Sequence, residues 1–336
     1  MGKSADIGGP ELTVVIPTRD RRAILRETLT RLADHASEIC EVIVIDDGST
    51  DGTPAAVRQH AAADSLDLRL LEQAGRGPAA ARNRAIGSAR APVCVFMNDD
   101  TWPQAGLLQR HRDFHRRNPE LEAALLGRVV LPPEPTPTPF MRWVADVHFD
   151  YHAIEDLDNA GGKHFYTSNV SAKTALLRSV GGFDEGFAEA AHEDIDLGLR
   201  LEERGLRLVY DPEAVVEHWH PLDLASAIRR FRGIGRAFAV FTARHPTWPV
   251  ARRPGARHRV KAGTLAGLAS LGVRTSRLQQ ETWRFLCHEA AREGYWNAVD
   301  GVDTAENTRH LDIGDRLARL AIKDEDAQLP EPRTAT

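Results

Sequence analysis

Short runs of apolar, mostly β-branched residues alternate with helical patterns through the first third of the chain. Four such runs predict buried strands, over residues 12–17, 42–45, 66–71 and 93–97. Apolar residues at helical spacing mark the segments between them, residues 21–35, 53–63 and 79–90. Apolar strands separated by helices are typical of a parallel sheet that is covered on both faces. The sequence therefore predicts an α/β fold with a doubly wound, mostly parallel sheet.

A proline-rich segment interrupts this pattern at residues 132–139, where five of eight residues are proline. Proline at this density fits neither a helix nor a central strand, so we place a boundary after residue 131. Residues 140–167 have no regular period and predict an irregular loop over the site. The remaining pattern predicts helices and strands over residues 103–118, 122–131, 171–179, 193–204, 206–210 and 214–217. A helical extension follows from residue 222, with a polar tail from Lys323.

Composition excludes several classes of protein. The chain has 336 residues, of which 42% are apolar and 27% charged, enough for the core of about two domains. Its net charge of −5 gives no attraction toward nucleic acid. Three cysteines without metal-ligand spacing fit a reducing compartment. The longest uncharged apolar stretch, residues 262–273, is too short to span a bilayer, so we expect a cytoplasmic protein.

The turns that follow the four strands are rich in acidic residues and glycine, over residues 17–20, 46–52, 75–77 and 98–100. Ligands of open parallel sheets bind at the carboxyl ends of the strands. The first turn has no glycine, which excludes the dinucleotide fingerprint, and the P-loop pattern is absent. A calcium loop is excluded because Arg58 stands where the bidentate glutamate is needed. A different ligand site at this edge of the sheet is therefore predicted.

Two further acidic clusters suggest chemistry, and each has a structural alternative. Adjacent carboxylates at Asp99 and Asp100 suit a hard divalent cation, or Asp100 caps the next helix. Glu193 and Asp194 open a helix, where a carboxylate either acts as a general base or stabilises the helix dipole. A histidine at the end of the last predicted strand is either structural or an additional metal ligand.

Seven segments in chain order resemble the inverting family 2 glycosyltransferases of GT-A fold. They are residues 14–18 (VVIPT), 42–53 (VIVIDDGSTDGT), 77–83 (GPAAARN), 96–100 (FMNDD), 181–184 (GGFD), 192–194 (HED) and 214–218 (AVVEH). The resemblance covers roughly residues 12–245. It implies a nucleotide-sugar-binding half over residues 1–131, an acceptor-binding and catalytic-base half over 132–221, and a helical region over 222–336.

The resemblance also implies roles for individual residues. It assigns the nucleotide sugar to Pro17, Thr18, Arg19, Asp47, Gly77, Arg82 and Asp99. Among these, Asp47 would accept a hydrogen bond from the base, Arg82 would lie near the nucleotide or diphosphate, and Asp99 would reach the ribose or sugar. Asp100 would hold Mn²⁺ or Mg²⁺, with His218 near the metal. Asp194 matches the catalytic base, with Glu193 beside it. Asn98 replaces the first acid of the family's D-x-D triplet and receives no metal role.

The implied reaction is metal-dependent transfer of a sugar, with inversion, from a nucleoside-diphosphate sugar to a hydroxyl group. A UDP-sugar is favoured, and the acceptor is a saccharide, a lipid-linked molecule or a natural product. One alternative is a sugar-phosphate nucleotidyltransferase, which needs a glycine-rich basic loop that residues 17–20 lack. Another is a non-catalytic nucleotide-sugar-binding module, which would not need Glu193 and Asp194.

The C-terminal region has a strong excess of positive charge. Residues 224–280 contain twelve arginine and lysine residues and no acidic residue. Such asymmetry indicates an anionic partner, either a phosphate-bearing acceptor or the inner surface of the membrane. The alternative is a basic face that packs on the acidic catalytic domain of the same chain or of a second copy in a homo-oligomer.

Overall fold

The computed structural model describes residues 9–35, 40–62, 65–250, 252–253, 256–270 and 275–301. The polar tail predicted from Lys323 lies outside these residues. Eight strands of this described part form one sheet: β1 (Leu12–Thr18), β2 (Cys40–Asp46), β3 (Leu68–Glu72), β4 (Val93–Met97), β5 (Thr101–Pro103), β6 (Ala123–Val130), β7 (Asn169–Lys173) and β8 (Arg207–His218). Their order across the sheet is β3-β2-β1-β4-β7-β6-β8-β5.

Ten α-helices of the described residues flank the sheet or follow it in the chain. Within the described residues the α-helices are α1 (Arg22–His35), α2 (Thr53–Arg58), α3 (Pro78–Ser88), α4 (Leu107–Arg117), α5 (Pro139–His148), α6 (Thr174–Ser179), α7 (Glu193–Glu202), α8 (Leu224–Arg244), α9 (Ala256–Ser270) and α10 (Ser276–Asp300). Among the described helices, none is both long enough and apolar enough to cross a bilayer. The cytoplasmic location stays a prediction.

The predicted α/β fold is confirmed, because β3, β2, β1 and β4 pair in parallel in that order. Successive residues of these strands point to opposite faces, and each face has its own apolar core. Val15 and Ile43 belong to one core, whereas Val14 and Val42 belong to the other. Uninterrupted apolar runs are needed for this arrangement, since both faces exclude water.

The second half of the sheet is mixed. Strand β7 runs antiparallel to both β4 and β6, and β5 runs antiparallel to β8, while β6 and β8 are parallel. The helix predicted over residues 171–179 is therefore wrong for its first three residues. These residues pair with β4, and buried Ser171 accepts or donates hydrogen bonds with the imidazoles of His111 and His115. Tertiary pairing overrides the local pattern here.

Two other sequence predictions need correction. Residues 139–148 form helix α5 and not an irregular loop, because the Thr138 hydroxyl accepts a hydrogen bond from the Met141 amide and caps the helix. Phe140 and Trp143 of this helix pack against Trp283 of α10. The two strands predicted over residues 206–217 are one strand, β8, whose pairing with β6 shifts register between Gly127 and Arg128.

Helices α8 and α10 pack with their backbones in close contact at two glycines. A Cβ atom at Gly235 would lie 1.8 Å from the Ala291 carbonyl oxygen, and one at Gly294 would lie 2.0 Å from the Arg232 carbonyl oxygen. Real Cβ atoms do not approach a backbone oxygen so closely. Only glycine at these positions therefore allows the observed distance between the helices.

We expect Gly235→Ala to lower the free energy of unfolding by about 1–3 kcal/mol, since the added methyl group forces α8 away from α10. Gly87→Ala is the matched control, because Gly87 also lies in a helix and no described atom beyond its chain neighbours and its own helix backbone lies within 4 Å of an added Cβ. The control should gain up to about 1 kcal/mol from helix propensity. Urea denaturation measures both changes, and an equal effect of the two substitutions would contradict this account of the packing.

Candidate active site

One cavity of about 550 Å³ opens at the carboxyl ends of β1, β2 and β4. All eleven residues that the family resemblance implied contribute to its wall. Helices α7 and α8 close the side opposite the sheet, together with residues 147–149 at the end of α5. The fold thus brings together residues that are up to about 200 positions apart in the sequence.

Asp99 is buried and held between two donors. The Thr18 hydroxyl donates to Asp99 Oδ2 at 2.7 Å, and Arg21 Nε lies 3.2 Å from Asp99 Oδ1. Burial raises the pKa of Asp99 to about 6; Arg21 opposes this shift and the adjacent Asp100 carboxylate adds to it. Thr18 and Arg21 therefore orient this carboxylate from the end of β1 and the beginning of α1.

Asp100 is the most strongly paired carboxylate in the cavity. His218 Nε2 lies 3.1 Å from Asp100 Oδ1, His220 Nδ1 lies 2.9 Å from Oδ2, and Arg21 Nη2 also binds Oδ2. Burial alone would raise the pKa of Asp100, but His218, Arg21 and His220 outweigh it and hold that pKa well below its usual range. The carboxylate is therefore ionised at neutral pH.

Asp100, His218 and His220 fit a divalent metal ion. One ligand atom from each residue lies within 4.8 Å of the others, and carboxylate oxygen with imidazole nitrogen is a common donor set for such ions. Burial lowers the pKa of His220, which favours the neutral imidazole that metal binding requires. Sequence reasoning named Asp100 and His218 but missed His220, although alternate residues of an extended segment share a face.

Asp47 organises the turn between β3 and α3. Its Oδ1 accepts hydrogen bonds from Gln73 Nε2 at 2.8 Å and from the Arg76 amide at 2.7 Å, and its Oδ2 accepts one from the Gly77 amide at 2.9 Å. Gly77 has a φ of +89° and also lies beside the carbonyl of Ala188. The turn is therefore fixed by a carboxylate that is itself part of the cavity wall.

Glu193 and Asp194 have different environments although they are neighbours. Arg82 Nη1 donates to Glu193 Oε1 at 2.7 Å, and both side chains are buried. Burial raises the pKa of Glu193 to about 7, against the opposing effect of Arg82. Asp194 is half-buried, and among the described residues its carboxylate accepts hydrogen bonds from the amides of Ile195 and Thr167 alone. Asp194 is therefore the more available of the two carboxylates.

Arg21 and Arg230 of the cavity were not among the predicted site residues. Arg21 comes after the turn that follows β1 and binds both Asp99 and Asp100. Arg230 comes from α8, far from any motif, and lines the cavity beside Phe231. Asn98, which received no metal role, donates instead to the Ser168 hydroxyl at 2.9 Å.

Much of the basic C-terminal region is paired with acidic groups of the same chain. Among the residues of this region that the structure describes, five form such pairs: Arg232 with Glu293, Arg236 with Glu189, Arg244 with Asp184, Arg253 with Asp300 and Lys261 with Glu281. The acidic partners lie on α10 and on the loop before α7. For these five residues, packing within the chain accounts for the charge asymmetry.

Comparison with known proteins gives one family. Residues 13–167 match the family model described as Glycosyl transferase family 2. The chain is 32% identical over 245 residues to the pre-mycofactocin glycosyltransferase of Mycobacterium tuberculosis, covering 70% of this chain and 48% of the relative. It is 34% identical over 234 residues to the validoxylamine A glucosyltransferase of Streptomyces hygroscopicus, covering 61% and 54%. The chain thus spans about half the length of these relatives.

Solved structures agree on the fold. A mannosyltransferase from Pyrobaculum calidifontis, in complex with GDP-Man and Mn²⁺, superimposes with a TM-score of 0.54 at 22% identity, covering 96% of this chain and 89% of the other. TarS 1–349 of S. aureus has a TM-score of 0.51 at 16% identity, covering 87% and 92%. At these identities the likeness extends to the GT-A fold.

We expect Arg82→Met to lower the free energy of unfolding by about 3–5 kcal/mol, because it leaves the buried Glu193 carboxylate without its partner. Arg84→Met is the matched control on the same helix, since Arg84 is exposed, and it should change stability by less than about 0.5 kcal/mol. Adding Glu193→Gln to Arg82→Met should recover part of the loss. Denaturation curves at pH 7 that are the same for both single variants would contradict the pairing.

Proposed function

The chain belongs to glycosyl transferase family 2, and on that basis we propose that it transfers a sugar from a nucleoside-diphosphate sugar to a hydroxyl acceptor. The supporting observation is that one cavity holds a buried carboxylate with two histidines and, on another wall, the available carboxylate of Asp194. Such transfer needs one group that stabilises the leaving diphosphate and another that activates the acceptor.

Donor binding is assigned to the end of the sheet. Thr18, Asp99 and Asp100 form the floor on which the sugar diphosphate would lie. Asp100, His218 and His220 would hold a divalent cation, which when bound neutralises charge on the diphosphate. Arg21 adds a positive charge from the protein itself, beside the same two carboxylates.

The nucleobase is assigned to Asp47. Its three hydrogen bonds use two acceptor positions on Oδ1 and one on Oδ2, so Oδ2 can accept one more donor. The ring N–H of uracil supplies such a donor, whereas the corresponding ring nitrogen of adenine carries no hydrogen and is an acceptor. We therefore favour a UDP-sugar as the donor.

Asp194 is assigned as the general base. Within the described part of the chain this carboxylate accepts two backbone hydrogen bonds, which leaves a lone pair for the proton of an acceptor hydroxyl. The acceptor oxygen would form a bond to the anomeric carbon as the bond to the diphosphate breaks, and Asp194 would take the proton. Because this is a single displacement, the anomeric configuration would be inverted. Glu193 would support the site through its pair with Arg82.

The alternative of a sugar-phosphate nucleotidyltransferase would release pyrophosphate and not a nucleoside diphosphate. Residues 17–20 after β1 lack the glycine-rich loop that a triphosphate needs. Incubation with UDP-sugars and Mn²⁺, followed by analysis of the released nucleotide, separates the two reactions. Slow release of UDP supports the transferase; pyrophosphate chemistry with a nucleoside triphosphate and a sugar phosphate would contradict it.

We expect Asp194→Asn to lower kcat by about 10²- to 10⁴-fold, since the amide has the size of the carboxylate but takes no proton. Donor affinity should stay near that of the wild type. Asp158→Asn, which changes an exposed carboxylate outside the cavity, is the matched control and should leave kcat unchanged. Near-normal turnover by Asp194→Asn, or NMR evidence of a retained anomeric configuration, would overturn the mechanism.

We expect UDP to bind more tightly than ADP in the presence of Mn²⁺, by about tenfold or more, which corresponds to about 1.4 kcal/mol. Asp47→Asn should reduce this preference, because an amide can present an N–H to the base where the carboxylate presents an oxygen. Calorimetric titration of both nucleotides measures the ratio, with Asp158→Asn again as the control. Equal affinity of the wild type for UDP and ADP is the result that would exclude this assignment.

A further inference from the structure

Arg230 differs from the other arginines of the cavity because no carboxylate is paired with it. It lies on the wall that helix α8 supplies, opposite the ends of the strands. In the part of the chain that the structure describes, its guanidinium group forms neither an ion pair nor a hydrogen bond. The other described arginines of the cavity are all paired: Arg19 with Asp20, Arg21 with Asp100 and Arg82 with Glu193.

The other arginines of α8 also have partners. Arg232, Arg236 and Arg244 form the ion pairs given above. Arg229 is exposed, and its guanidinium group donates a hydrogen bond to the Ser226 hydroxyl at 2.8 Å. Packing within the chain thus accounts for the positive charges of this helix, with the exception of the half-buried Arg230.

The carboxylates nearest to Arg230 are already bound to other groups. Burial lowers the pKa of Arg230, Asp100 and Glu193 oppose this shift, and Arg21 adds to it. Arg21 and two histidines hold Asp100, however, and Arg82 holds Glu193. An arginine stays ionised in proteins, so Arg230 carries a positive charge in a partly dehydrated position without a counter-ion in direct contact.

We infer that Arg230 binds a phosphate group of a substrate in this cavity. The inference rests on the proposed transfer from a nucleoside-diphosphate sugar and adds a binding residue on the wall opposite the sheet. A dehydrated cation needs an anion to offset its lost hydration, and the planar N–H donors of a guanidinium group match two phosphate oxygens. The source of the phosphate is either the diphosphate of the donor or a phosphate group on the acceptor.

The position of Arg230 suits this role. It is carried by a helix whose close packing on α10 at Gly235 fixes its backbone. With His148 and His220 it also lines a second cavity of about 40 Å³, which shares these three residues with the first. Arg21 supplies positive charge from the side of the sheet. A phosphate group between Arg21 and Arg230 would offset the repulsion of the two cations.

The experiment compares two neighbouring arginines by calorimetric titration of the full chain with UDP in the presence of Mn²⁺. Arg230→Met keeps most of the length of the side chain and removes its charge, and we expect it to weaken UDP binding by about 10- to 100-fold. Arg229→Met is the matched control, because Arg229 is exposed and lies outside the cavity, and it should bind UDP like the wild type. Arg230→Lys should retain part of the affinity, because lysine keeps the charge without the planar donors.

A second titration identifies the substrate that carries the phosphate. Protein saturated with UDP and Mn²⁺ is titrated with methyl phosphate, a simple phosphate monoester. If the donor carries the group, UDP occupies Arg230, and the wild type and Arg230→Met bind methyl phosphate equally. If the acceptor carries it, UDP affinity is the same in both proteins, and methyl phosphate binds the wild type about tenfold or more tightly than the variant.

Two results would overturn the inference. One is equal affinity of the wild type and Arg230→Met for both UDP and methyl phosphate. The other is an equal loss of UDP affinity in Arg229→Met, which would reduce the effect to net charge. If Arg230→Met does not fold, the comparison of Arg230→Lys with Arg229→Lys decides.

Urea denaturation separates binding of a ligand from a structural role. Because Arg230 has no partner among the described residues, Arg230→Met should not lower the stability of the protein without ligand, whereas UDP and Mn²⁺ should stabilise the wild type more than the variant. A loss of stability without ligand, with unchanged affinity for both probes, would make Arg230 a structural residue. Sugar transfer is measured separately: a protein that binds UDP through Arg230 but releases none from UDP-sugars would contradict the proposed function and not the phosphate contact.

Discussion

The buried carboxylate of Asp100 joins three distant parts of the chain at one point. It follows β4, and it binds Arg21 just before α1, His218 at the end of β8 and His220 just past that end. A buried anion is stable only where partners offset its loss of hydration, so these three segments must meet correctly for the fold to form. The same requirement builds the cavity, because the segments that satisfy Asp100 are also its walls.

Strands β1, β2 and β4 could be predicted because each of them buries apolar side chains on both faces, as Val14 and Val15 of β1 illustrate. Strand β7 could not be predicted in the same way, because Ser171 is polar and its hydrogen-bond partners are His111 and His115 of helix α4. The family's motifs located Asp100, which follows strand β4, and Asp194, which lies in the first turn of helix α7. Arg21 and Arg230 lie outside those motifs, and only the packing of α1 and α8 brings them to the cavity.

Glu193 and Asp194 lie in the same turn of α7, but their carboxyl groups have different surroundings. Burial and the pair with Arg82 direct Glu193 into the protein, and the pKa of its carboxyl group is raised. Asp194 faces the cavity with hydrogen bonds from two amides. The sequence places both at the beginning of α7 and does not distinguish them, because the difference comes from α3, which lies more than a hundred residues earlier.

The close contact of α8 and α10 at Gly235 and Gly294 has a consequence for the timescale of motion. Backbone atoms of the two helices interlock there, so α8 cannot slide along α10 without a collision. Since α8 carries Arg230 and Phe231 on the cavity wall, any widening of that wall must move both helices as one rigid body. Collective displacements of packed helices take microseconds to milliseconds, whereas exposed side chains reorient within nanoseconds. Entry and release of large ligands past this wall would therefore take place on the microsecond-to-millisecond timescale of the helices.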